Sequence, residues 1–282
     1  MPVLSIIACD MLEDELTYVL SKDSKLEQLI LVEKKECFGL QRKLKSLGCL
    51  PALVPLDRIP EILKGEKNQS FPAILKPLCR LRFIEKIQLK LEKMHKTKVT
   101  VVANVLKMGL HIDSELLKAE VYRNIREMSR FSDRILIFYG TCGHSLASIE
   151  KDFQDLECQL CYLKDDNGEI VEDCISVALG GNDVYARAMV NSEGEGTFYL
   201  TPMWASGRME FPKERLTELS ELGKKYIRRY GKVAKINTGL SYEQDFDENV
   251  RDFARSFNLK IVEIQGSKKI AEQSYQDARK FP

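Results

Sequence analysis

Ile135-Leu136-Ile137-Phe138-Tyr139-Gly140-Thr141-Cys142-Gly143 is the stretch on which the fold turns. Five apolar or aromatic residues in a row, ended by a glycine, predict a strand buried on both faces, as a parallel sheet requires. Leu146 to Phe153 then carries helical spacing, so the unit reads strand, cysteine, helix. The unit recurs twice. Ser5-Ile6-Ile7-Ala8 runs into Cys9 and then into Met11 to Leu20. Glu169-Ile170-Val171 leads to Cys174, which opens a helical pattern from Ile175 to Met189. In an open α/β sheet the carboxyl ends of the strands face one side, where ligands bind. Cys9, Cys142 and Cys174 are thereby expected on one rim.

Working outward, strand and helix patterns alternate, which predicts an α/β fold with a mainly parallel sheet sandwiched by helices. Residues 1–63 and 133–282 read as the α/β core. Residues 64–132 read as a helical insertion or subdomain, with Lys/Glu-rich helical patterns, one β-branched run (Val99-Thr100-Val101-Val102) and a long helix capped at Asp113 or Ser114. Glu214 to Tyr230 predicts another long helix, and strand–helix–strand patterns close the chain.

Composition narrows the class. In 282 residues, 43 Lys and Arg face 42 Asp and Glu, so the electrostatic footprint of a nucleic-acid binder is missing. The basic stretch Lys76 to Lys98 reads as the solvated face of a helix. No apolar run approaches the roughly 20 residues of a membrane span, and the first residues read as a strand rather than a signal peptide. The expected location is the cytoplasm, where the eight cysteines read as metal ligands, catalytic thiols or small core residues rather than disulfides.

A thiol at a helix N-terminus is expected to have a lowered pKa, and thiolate is the form that binds metal. Two centres suit three thiolates on one rim. A [4Fe–4S] cluster on Cys9, Cys142 and Cys174 would leave one iron open to substrate, while a zinc ion would need a fourth ligand. His144 is the candidate for that ligand, or for moving protons. Asp10, Glu15 and Asp173 are the acid–base candidates near the rim, although a carboxylate beside a helix start is also a good cap. Gly180 and Gly181 either cap a helix or let backbone approach a substrate. Thr201 and Trp204, at the end of the strand-like Thr197 to Thr201, are candidate substrate-binding residues. Cys158-Gln159-Leu160-Cys161 lies in a strand-like run, where a redox CxxC would sit at a helix start, so it reads as structural. Cys37 is a reserve ligand; Cys49 and Cys79 read as core fillers. Phosphate-binding glycine loops and a GxSxG elbow are missing from the sequence.

Ile7-Ala8-Cys9-Asp10 with Glu15, Tyr139 to Gly143, Asp173-Cys174 leading to Gly180-Gly181, and Gly196 to Thr201 together resemble the domain-of-unknown-function family numbered 1638. That family is found in methanogenic archaea and some bacteria, and the chain is closer to its archaeal branch. The resemblance implies that Cys9, Cys142 and Cys174 are the family's signature cysteines. It brings no activity with it. Its members accompany corrinoid-dependent methyltransferase systems, which implies one-carbon or sulfur metabolism by association. Bacterial members carry glycine around position 144, which weakens His144 as a ligand, and a histidine near Pro60 that is replaced here by Asp57-Arg58-Ile59. The expectation is a metal-dependent enzyme acting on a small molecule. Two rivals remain: a non-catalytic accessory protein carrying metal or corrinoid to methyltransferases, and a scaffold whose cysteines are inert.

Overall fold

Val3–Cys9 (β1) is buried at every position, and Arg134–Phe138 (β5) pairs alongside it in parallel, with Phe138 opposite Ala8. The computed structural model describes residues 1–67, 98–192, 195–205, 229–240, 242 and 245–281. Six parallel strands form the main sheet: β1, Leu26–Val32 (β2), Ala52–Val54 (β3), Val99–Leu106 (β4), β5 and Gln159–Tyr162 (β6), in the order β3-β2-β4-β1-β5-β6. This is the α/β architecture that the alternation predicts.

Two sets of helices cover this sheet. Glu13–Lys22 (α1) and Phe38–Ser46 (α2) pack on the face presented by Leu4, Ile6 and Ala8 of β1. Ile59–Lys67 (α3) and Ser114–Met128 (α4) pack on the opposite face, presented by Val3, Ile7 and Cys9. The period-2 alternation of a strand buried on both sides accounts for the division.

The insertion expected at 64–132 is corrected over residues 98–132. β4 is buried at all eight positions and lies between β1 and β2, with Cys9 opposite Leu106. Its five β-branched residues, Val99 to Val102 and Val105, are strand formers because they fill both faces of a central strand. The Asp113 side chain accepts from the Leu116 N–H at 3.0 Å and caps α4 as expected. Residues 76–97 of the basic stretch, Cys79 among them, and most of the Glu214 to Tyr230 helix lie outside the described residues.

Two helical expectations are shortened. Cys142, Gly143 and His144 all have positive φ, at 47°, 64° and 74°. The chain therefore turns through residues 142–148, leaving only Ile149–Asp152 (α5) helical. The pattern from Ile175 to Met189 breaks at Gly180 (φ 96°) and Gly181 (φ 143°) into Cys174–Leu179 (α6) and Asn182–Val190 (α7). A smaller parallel sheet follows, ordered Gly196–Leu200 (β7), Tyr230–Asn237 (β8) and Lys260–Gln265 (β9). Pro202–Ala205 (α8) and Phe246–Phe257 (α9) connect its strands, and Lys269–Ala278 (α10) returns to pack on α1 and β5 of the main sheet.

Candidate functional site

The connection after β1 leads to α1 on one face, while the connection after the adjacent β4 leads to α4 on the other. Neighbouring strands whose connections part to opposite faces leave a crevice at their carboxyl ends, the position where α/β sheets bind ligands. A cavity of about 400 Å³ occupies this crevice, and Cys9, Cys142 and Cys174 all line it.

Backbone zippering brings Cys142 and Cys174 together. Thr141 N–H donates to Val171 O at 2.9 Å, and Cys142 N–H donates to Glu172 O at 2.7 Å. The approach is so close that a Cβ on Gly140 would fall 2.5 Å from Asp173 N. Asp173 then caps α6, its carboxylate accepting from Ser176 N–H at 2.8 Å, so that Cys174 begins the helix. Cys142 is held in the left-handed region, which costs a non-glycine residue about 1–2 kcal/mol. Strain of this kind concentrates at ligand sites.

The thiol pKa values run opposite to the expected direction. Loss of hydration pushes both Cys9 and Cys142 up to about 12, and Cys174 well above the ordinary thiol range. The helix dipole does not offset this, because Cys9 precedes only a three-residue 3-10 turn and α6 has six residues. After burial, the charges of neighbouring groups contribute: Cys9 and Asp173 raise Cys142, and Cys9, Asp173 and Cys142 raise Cys174. The three thiols therefore feel one another's charge. The Tyr139 hydroxyl sits beside the Cys9 thiol, is itself raised by burial, and makes no well-formed hydrogen bond among the described residues.

As a donor set, three soft sulfurs that resist ionising separately suit a thiophilic cation, which replaces their protons and cancels their repulsion. Their arrangement is not a finished coordination shell: among the described residues no three His, Cys, Asp or Glu side chains stand in a metal-holding group.

Residues 105–275, more than half of the chain, match DUF1638, a family described as protein of unknown function. The chain belongs to this family. The DUF1638 match takes in Cys142, Asp173 and Cys174 and leaves Cys9 outside it. No curated protein and no solved structure matches the chain.

Of the other residues singled out in this DUF1638 chain, Trp204 lines the cavity, packing edge-on to Phe198 with ring centroids 5.1 Å apart. Thr201 does not line it: its buried hydroxyl accepts from Trp204 N–H at 3.2 Å and caps α8. Gly180 and Gly181 stand apart as well, packed against Ser267 and Asp165, so they break the helix rather than line the cavity. His144 is exposed on the turn after Cys142 and is not part of the lining. Asp10 adjoins the thiols and raises Cys9, yet does not line the cavity.

Glu15 points elsewhere, into a buried charge cluster of α1 and α2 where Lys43 Nζ lies 2.9 Å from Glu13 and 2.6 Å from Asp14. Burial lowers the Lys43 pKa, but Asp14 and Glu13 outweigh it and the net shift is upward. Cys37 belongs to the opposite core face from Cys9. Cys158 and Cys161 also fall into opposite clusters, and neither forms a disulfide.

Lys107 and His111, both at the cavity, were not apparent from the sequence. Their signal was the strand-then-polar-then-cap order of Val99 to Asp113, the same order that marks the cysteines, concealed by reading that segment as an insertion. Among the described residues, no helix is long and apolar enough to cross a membrane.

Proposed function

We propose that this chain is a metal-dependent enzyme acting on a small molecule, with Cys9, Cys142 and Cys174 holding a [4Fe–4S] cluster that keeps one iron open; zinc is the alternative. The observation that carries the reading is the meeting of three thiols, from the end of β1, the turn after β5 and the start of α6, in one cavity at the switch point of the sheet. When bound, such a centre would act as a Lewis acid toward a heteroatom of the substrate.

The chain's own residues have the remaining roles. Cys9, Cys142 and Cys174 each give up a proton on ligation. The Tyr139 hydroxyl, beside Cys9 and without a well-formed partner among the described residues, would donate to that sulfur once it is ionised, the kind of outer contact that orients a ligand. Asp173 fixes the start of α6 through Ser176 and so fixes Cys174. Trp204 and Phe198 wall the cavity and exclude water. By association with its archaeal relatives, the reading extends to one-carbon or sulfur metabolism in the cytoplasm, with corrinoid methyltransferase proteins as partners.

Anaerobic purification with metal and sulfide analysis and an absorption spectrum tests the reading on wild type and Cys142→Ala. Near four iron and four sulfide per chain, lost in the variant, is the expected result. Stoichiometric zinc lost in the variant would move the assignment to the alternative. Neither metal in either protein would end it. A carrier of metal or corrinoid would need the thiols and tolerate Trp204→Ala, whereas an enzyme needs both.

A further inference from the structure

The cavity lining also carries two basic side chains, Lys107 and His111. Leu106, the last residue of β4, pairs with Cys9 across the sheet, so Lys107 is the first residue after β4, next to the rung that carries a thiol. The loop after it passes through Gly109, in the left-handed region at φ 82°, and brings His111 to the same cavity. Asp173 is the one carboxylate of the lining among the described residues, and it is engaged by Ser176 N–H. Lys107 and His111 make no hydrogen bond or ion pair among the described residues. Leu110, Phe198 and Trp204 give the same cavity an apolar, partly aromatic wall. The cavity lining therefore combines three kinds of group: thiols, an apolar wall, and two donors that no protein carboxylate among the described residues satisfies.

We infer that the ligand of this cavity is a small oxyanion, a carboxylate or phosphate ester, with a flat apolar body, its anionic group held by Lys107 and His111 and its body against Trp204 and Phe198. The inference deepens the proposed function and rests on that reading for the reacting end alone; the anion end stands without any metal. A charge-assisted hydrogen bond is worth about 1.5–3 kcal/mol, so removing the charge from the ligand should cost about tenfold or more in affinity. Lys supplies a point charge and His a directed donor, a pair that accepts either oxyanion.

Trp204 is the chain's one tryptophan and lines the cavity, so its fluorescence reports occupancy. Benzoate and phenyl phosphate are titrated against benzamide, the neutral isostere, on the full chain. The expected result is a saturable Trp204 change with an anion, at least about tenfold weaker for benzamide. Lys107→Ala and His111→Ala, both exposed side chains, should each weaken anion binding and leave benzamide unchanged, while Lys280→Ala, which is not part of this cavity's lining, should have no effect. Which anion binds more tightly identifies the ester or the acid as the source. Equal binding of benzoate and benzamide, or anion binding indifferent to both substitutions, would overturn the inference, as would the lack of any response. Run in parallel on Cys142→Ala, the titration should keep its charge preference whether or not the wild type holds iron or zinc. A preference lost with Cys142 would assign the anion to the thiols and overturn the inference while sparing the metal reading.

Discussion

Glu15 was expected on the rim six residues after Cys9, and its chemistry is instead that of a buried acid. Its Oε2 has no hydrogen-bond partner among the described residues. Burial first, and the Asp14 charge second, push its carboxyl up to about 8 against the pull of Lys43. Tyr242, raised to about 12 by burial, also faces this cluster. An acid raised on folding is protonated in the native state at a pH where the unfolded chain has lost that proton. Its contribution to stability is therefore complete below the unfolded value of about 4.5 and is lost as pH rises toward 8. The slope within that window approaches about 1.4 kcal/mol per pH unit. Wild-type melting temperature is expected to fall between pH 5 and pH 8, and Glu15→Gln, which keeps the shape without a titrating proton, should flatten that dependence. Parallel curves for the two proteins over this range would refute the assignment.

At the scale of the element, the site depends on one backbone crossing. Gly140 admits no side chain, because a Cβ would press on Asp173 N, Asp173 Cα and Glu172 C within 2.7 Å, all of them backbone atoms that cannot turn aside. Gly140→Ala should cost about 2 kcal/mol or more and part Cys142 from Cys174. Gly143→Ala, at φ 64° with nothing within 4 Å of its Cβ, should cost only the ~1 kcal/mol of a left-handed alanine. Thermal melts with alkylation rates of the two thiols check the contrast; equal losses for both variants would show that crossing not to be the constraint. The strands before Cys9 and Cys142 were legible because strands buried on both faces leave uninterrupted apolar runs, and Ile135 to Tyr139 is such a run. Glu169 to Val171, expected as a strand before Cys174, forms only a single bridge from Ile170 to Lys164, because among the described residues it has no neighbouring strand to extend the pairing. The crossing was not legible, since a contact between residues 140 and 173 leaves no periodic trace. Neither was the place of Val99–Leu106: its position between β1 and β2 is a long-range pairing, and its distance in sequence from both strands favoured reading it as an insertion. Lys107 and His111 follow that strand and are no more legible than it is, and the direction of the thiol pKa values is not written in the sequence, because burial is a property of the packed cavity rather than of a helix start.

At the scale of the molecule, the two sheets are joined by a chain that leaves the large sheet after β6 and comes back to it. Trp204 packs in the core of the second face and in that of the small sheet, beside Phe198 and Phe253. Ser267 N–H donates to Ala178 O at 2.8 Å, tying the end of β9 to α6. Beyond it, α10 buries Ile270, Ala271, Tyr275 and Ala278 in the same cluster as α1 and β1. Tyr275 also donates to Asp23 at 2.8 Å, and Arg279 pairs with that carboxylate. The last helix is thus part of the first core that the chain begins to build. Burying one large apolar side chain is worth about 1.5–3 kcal/mol, so losing α10 removes on the order of 5 kcal/mol, comparable with the whole stability of a domain. A chain ending at Ser267 should therefore lose the cooperative unfolding of the main sheet, rather than merely shed a terminal helix. Tyr275→Ala, which keeps the helix, should lower stability by about 3 kcal/mol. Denaturant titrations followed by both far-UV circular dichroism and Trp204 fluorescence provide the check: the two signals should coincide in the full chain, because Trp204 belongs to both sheets. A truncated chain that still melts in one sharp transition within a few degrees of the wild type would show that the main sheet stands without its last helix.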